Sequence, residues 1–138
     1  MRCTLDISES YGYHKEAGYE PFPALPIVIH REELRGSVRV KALLDTGFDG
    51  ALIISRSLGA FIREAVKASD GLEELDAAGI AIPCDVYHIN VRVKGKWFRV
   101  KALLPQLGDL GTIMGRRIIN RLCVCLRGYE ERLFLASA

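Results

Sequence analysis

The 138-residue chain has little charge of one sign. Nineteen Lys and Arg stand against 17 Asp and Glu, a formal net charge of +2, and the basic residues lie among acidic ones instead of in a run. Without a basic stripe there is no electrostatic footprint for nucleic acid. Long hydrophobic runs are also missing: no window approaches the ~20 apolar residues that cross a bilayer. Met1-Arg2-Cys3-Thr4-Leu5-Asp6 leads into polar sequence, not into the apolar core of a signal peptide. No membrane partner and a cytoplasmic setting are therefore expected. Cysteine is sparse, with four residues, and a reducing compartment disfavours structural disulfides. Cys3 and Cys84 are isolated, Cys123 and Cys125 share a face of one apolar stretch, and none has a His or Cys at zinc-site spacing. No metal and no cofactor is expected, and the scattered His14, His30 and His88 read as surface or strand residues. Internal repeats are absent, so any two-fold symmetry has to come from a second copy of the chain.

What is present is an ordinary globular composition, 49% apolar and 26% charged, at a length that fits one domain. Residues 1–23, with Pro21, Pro23 and no sustained period, read as an irregular arm with a strand near its start. The domain proper is expected over residues 24–138. Leu25 to Ile29 and Ser37 to Ala42 read as strands joined by a hairpin loop, and Tyr87 to Val93 and Trp97 to Leu104 as a second hairpin. Leu58, Phe61, Ile62, Ala65 and Val66 recur at helical spacing, which predicts a helix over 57–69 with Ser55 or Ser57 as N-cap and Gly71 as stop. Thr112 to Met114 reads as a short strand, Gly115 to Leu122 as a short helical segment, and Cys123 to Leu126 and Leu133 to Leu135 as the last strands.

One polar loop is set between buried segments: Asp45-Thr46-Gly47-Phe48-Asp49-Gly50 follows Ala42-Leu43-Leu44 and precedes Ala51-Leu52-Ile53-Ile54. Asp-Thr-Gly alone occurs by chance in roughly one of 30 chains of this length, so the context has to carry the argument. A carboxylate among apolar residues costs free energy unless it is paired, which points to function or to a buried ion pair. The plain alternative is a turn Asp accepting backbone N–H bonds. The Glu73-Glu74 pair sits in polar sequence after the helix and reads as a solvated face.

With these residues in view, the chain resembles the retropepsin-like aspartic proteases, whose monomers carry an apolar pair before Asp-Thr-Gly and an apolar-apolar-Gly motif opening a C-terminal helix. The second motif is Ile113-Met114-Gly115-Arg116. Phe48 after the Gly is similar to a prokaryotic, single-domain branch of that family. The resemblance covers roughly residues 25 to 126. It implies a mainly β fold, a closed β-barrel forming half of an acid protease, with one amphipathic helix and a short C-terminal helix. It implies Asp45 as catalytic acid, Thr46 as a hydroxyl interlocking with its copy, and Gly47 as the point where substrate backbone approaches. Phe48, Asp49 and Gly79 fall at substrate-binding positions, Gly79 in a flap joining Leu75 to Ile82. Gly115 and Arg116 are structural support, with an ion pair from Arg116 to Asp49. Phe48 stands where the family usually has a small residue, and its flap has fewer glycines than viral ones.

Two carboxylates must stand side by side to share a proton, and one chain supplies one. The expectation is a homodimeric endopeptidase acting on a peptide or unfolded protein. Its interface would include Arg132 to Leu135, an apolar strand that would otherwise be an exposed edge. The alternatives are a non-catalytic dimeric peptide- or protein-binding module on the same fold, or a small β-barrel interaction domain unrelated to proteases.

Overall fold

The computed structural model describes residues 7–136, with backbone alone for residues 7 and 8. Ten strands and two helices follow one another among the described residues. β2 (Ala24–His30) and β3 (Val38–Leu44) form the first hairpin, and β4 (Leu52–Ile53) leads into α1 (Arg56–Ala65). β5 (Gly71–Ala77), β6 (Ile80–Val93) and β7 (Lys96–Pro105) form a meander, followed by β8 (Ile113–Met114) and α2 (Arg116–Ile119). The large sheet runs β2-β3-β8-β4-β7-β6-β5, and β6 also pairs back onto β2 at Val28↔Arg92, Ile29↔Val91 and His30↔Asn90. That last pairing closes six strands into a barrel, and β5 extends beyond it as a hairpin arm.

The barrel closes because alternate residues point inward. Leu25, Ile27 and Ile29 on β2 and Ile89, Val91 and Val93 on β6 are buried at period two. α1 plugs one side through Leu58 and Ile62, and Gly59 lets it close on the barrel, since a Cβ there would stand 2.6 Å from Leu104 Cδ1. Ser55 is the N-cap, its Oγ accepting from Leu58 N at 3.2 Å. The helix is shorter than the predicted 57–69, and Phe61 faces solvent at 40% exposure. Chain direction is set there by tertiary bonds: Asp70 N donates to Val86 O at 2.8 Å, which draws the segment after Val66 onto β6.

A second, three-stranded sheet joins the ends of the described chain. β10 (Arg132–Ala136) lies between β1 (Ile7–Gly12) and β9 (Cys123–Arg127). The arm thus has the strand expected near its start, and Leu133 and Leu135 on β10 are buried in the core. This corrects one expectation. β10 is no exposed edge, because both of its edges are paired within the chain, so it cannot pair edge-on with a second copy. A second correction concerns the thiols: Cys123 is disulfide-bonded, while Cys84 and Cys125 are free. Cys3 lies outside the described residues.

One polar clamp ties the barrel to the α1–β5 connection. Arg31, just after β2, donates from Nη1 to Asp70 Oδ2 at 2.6 Å and also pairs with Glu33, and Asp70 Oδ2 accepts from His88 N at 2.8 Å. The Arg31 guanidinium first, and the His88 N–H second, hold the Asp70 carboxyl below the usual carboxylate range. A depressed pKa contributes stability in full above the ordinary carboxylate value of about 4, and that contribution is lost as pH falls through the lower folded value. Asp70→Ala should cost about 1–2 kcal/mol at neutral pH. In thermal melts followed by circular dichroism, wild type should lose its advantage over the variant below about pH 4.

Candidate active site

β3 delivers Asp45 to the surface. Leu43 and Leu44 pair in parallel with Ile113 and Met114 of β8, and Asp45 N donates to Met114 O at 2.9 Å. The chain then turns sharply: Phe48 N donates to Asp45 O at 3.2 Å, and Gly47 N donates to Asp45 Oδ1 at 2.8 Å. The half-buried carboxylate is therefore oriented by the loop's own backbone, and among the described residues its second oxygen has no hydrogen-bond partner. Thr46 is exposed beside it.

Phe48 holds this loop in place. Its ring is buried with Ile53, Leu75, Cys84, Val86 and Leu103, a cluster separate from the barrel core. The ring lies over two glycines. A Cβ on Gly50 would stand 2.4 Å from Phe48 Cζ, and one on Gly115 would stand 2.2 Å from Gly50 O and 2.5 Å from Phe48 Cδ2. Gly115 is thus where the start of α2 meets the Asp45 loop backbone to backbone. Gly115 N donates to Ala51 O at 2.9 Å, Arg116 N to Phe48 O at 2.9 Å and Arg117 N to Gly50 O at 3.1 Å. Burial also pushes the Cys84 thiol up from its ordinary pKa, which makes it a packed residue and not a nucleophile.

The expected Asp49–Arg116 ion pair is not formed in the chain. Both side chains are exposed, no salt bridge joins them among the described residues, and the brace is made by main-chain bonds instead. The physical reason is that the Arg116 N–H already fixes α2 on the loop, and an exposed ion pair adds little to that in water.

A cleft of about 1020 Å³ opens over the loop, bounded by Asp45, Gly47, Phe48 and Asp49 below and by β5 residues Glu73 to Ala77, with Ala78, above. β5 and β6 form the roof as a hairpin. Its turn residues Ala78 and Gly79 have φ of 52° and 81°, positive at both central positions as a two-residue I′ turn requires, and Gly79 N donates to Asp76 Oδ1 at 3.1 Å. Neither Gly79 nor Thr46 lines the cleft, whereas Arg116 does. Glu73 and Glu74, read from the sequence as a solvated face after the helix, are on β5 at the cleft wall, and Glu73 pairs with Lys101 Nζ at 2.5 Å. Arg99, Arg117 and Arg121 also line it. Arg117 directly follows the Ile113–Arg116 motif and Arg121 comes four residues later, whereas Arg99 and the β5 acids reach the same cleft only through the fold, which spacing along the chain does not reveal. Among the described residues no three His, Cys, Asp or Glu side chains cluster as a metal site.

No protein-family model matches the chain, and no curated protein matches it by sequence. Solved structures do match. EIAV protease complexed with the inhibitor HBY-793 superposes with a TM-score of 0.53 at 18% identity, over 78% of this chain and 93% of that one. A retropepsin-like aspartic protease from Rickettsia conorii superposes with a TM-score of 0.60 at 15% identity, over 94% of each. This chain has a retropepsin-like fold. Within that fold Phe48 does not block the cleft by standing in it; the ring turns inward and forms part of the floor.

The packing makes a discriminating pair of substitutions. Gly50→Ala should destabilise the chain by about 1–3 kcal/mol through overpacking, and the penalty should shrink by at least about 1 kcal/mol in a Phe48→Ala background, where the ring it meets is gone. Gly115→Ala should stay costly in that background, because the Gly50 carbonyl remains in its way. Urea unfolding of the single and double variants measures both.

Proposed function

We propose that this chain is an aspartic endopeptidase that works as a homodimer, with Asp45 of each copy meeting at the two-fold axis. The observation that carries the reading is a retropepsin-like fold with Asp45 on the floor of a cleft roofed by the β5–β6 hairpin. Two carboxylates about 3 Å apart cannot both ionise and share one proton. The ionised member then takes a proton from a water that attacks the scissile carbonyl, and the protonated member donates to the carbonyl oxygen. Thr46, exposed beside Asp45, is the hydroxyl that would interlock with its copy, and Gly47 leaves room for substrate backbone. Asp49 is free to bind substrate main chain. The substrate is a peptide or an unfolded protein segment, and no cofactor is needed. Residues 24–138 form the catalytic unit and residues 1–23 its arm. Since β10 is paired on both sides, a dimer interface that includes the chain ends would use the outer edges of β1 and β9 or a face of that sheet. No helix among the described residues is long and apolar enough to cross a membrane.

The second reading is a dimeric peptide- or protein-binding module without catalysis, which the small number of flap glycines favours. Asp45→Asn separates the two. Asn keeps the size and much of the hydrogen bonding of Asp but cannot ionise, so both halves lose their base at once. Wild type should cleave an unstructured peptide library with a bell-shaped pH profile inside about pH 3–7. Asp45→Asn should cleave nothing while remaining folded and dimeric by sedimentation. A wild type that binds peptides but hydrolyses none would leave the binding module.

A further inference from the structure

We propose that the cleft selects peptides bearing an anionic side chain, seated on the guanidiniums of Arg99, Arg117 and Arg121; this rests on the endopeptidase reading and names its substrate class. Both signs of charge line the cleft: Asp45 and Asp49 of the loop and Lys101 and Arg116 are there beside the residues that follow. The acidic residues of the roof, Glu73, Glu74 and Asp76, all come from β5, whereas Arg99 comes from β7 and Arg117 and Arg121 from α2 and the turn after it. Two of the three roof acids are already engaged within the protein, Glu73 by Lys101 at 2.5 Å and Asp76 by the Gly79 N–H at 3.1 Å.

The guanidiniums are not matched in the same way. Among the described residues, Arg99 and Arg117 have no side-chain hydrogen bond or ion pair. Arg121 lies over the Phe98 ring at 5.9 Å, which orients its charge without neutralising it. Guanidiniums that line a concave surface without a partner of their own draw in a counter-charge. Guanidinium is the side chain whose planar fork fits carboxylate or phosphate oxygens two at a time. A peptide running beneath the hairpin would thus bring an Asp, Glu or phosphorylated side chain onto one of these guanidiniums. The anionic oxygen is the shared chemistry, and the two sources separate by experiment.

The test uses the full chain carrying Asp45→Asn and four fluorescent peptides of one unstructured sequence that differ at a single position, Glu, phosphoserine, Gln or Lys. Fluorescence anisotropy at low salt should give the Glu or phosphoserine peptide about tenfold tighter binding than the Gln peptide. The better of the two anions identifies the carboxylate or the phosphate. Adding Arg117→Glu and Arg121→Glu should invert the order in favour of the Lys peptide. If that double variant fails to melt cooperatively, Arg99→Gln should still reduce the anion preference. Equal binding of all four peptides overturns the proposal, and so does a preference unchanged by the arginine substitutions. Cleavage by wild type is scored separately. Hydrolysis without charge preference defeats the arginine site and leaves the protease, whereas charge-selective binding without hydrolysis defeats the protease and leaves the arginine site.

Discussion

The close approach of two backbones at Gly115 and Gly50 is the constraint on which the site depends. With the Gly50 carbonyl 2.2 Å from where a Gly115 Cβ would be, no side chain fits between them. That proximity allows three consecutive N–H groups at the start of α2 to reach the carbonyls of Ala51, Phe48 and Gly50. An orphaned helix N-terminus thereby becomes the bracket that holds the Asp45 loop. Phe48 fills the space above the two glycines and carries the bracket into the core shared with Leu75 of the roof and Val86 of β6. Floor and roof of the cleft are consequently packed on one aromatic ring.

This arrangement accounts for how an exposed polar loop keeps a fixed shape. Asp45 is oriented by Gly47 N and anchored through its own N–H to β8, and the burial of Phe48 three residues later stops the loop from rotating away. The Arg31–Asp70–His88 clamp does a comparable task on the far side, where it ends α1 and launches β5. The roof hairpin leaves from that point, and its tip, with Ile80 at 66% exposure, stands in solvent.

Much of this was legible in the sequence. Period-two burial along β2 and β6 follows from alternating apolar residues, and the loop Asp45–Gly50 stood out because it interrupts apolar strands. Ser55 as cap follows from the chemistry of helix N-termini. Other features were not legible. The helix ends at Ala65 and not near 69 because Asp70 is captured by Arg31 and His88, residues remote in sequence. β6 begins at Ile80, ahead of the predicted Tyr87, because its first half pairs with β5 from Ala77↔Ile80 to Gly71↔Val86. The Asp49–Arg116 pair was expected from resemblance, and the main chain took its place.

The sequence by itself determined the strand pattern, the apolar setting of Asp45 and the two glycine-bearing motifs that meet beneath it, because local periodicity and turn chemistry act over a few residues. Tertiary structure alone decided which edges are free and which charges share a cleft. β10 is sealed between β1 and β9, and the arginines of β7 and α2 share a cleft with the acids of β5, because closing a sheet into a barrel brings together residues remote in sequence.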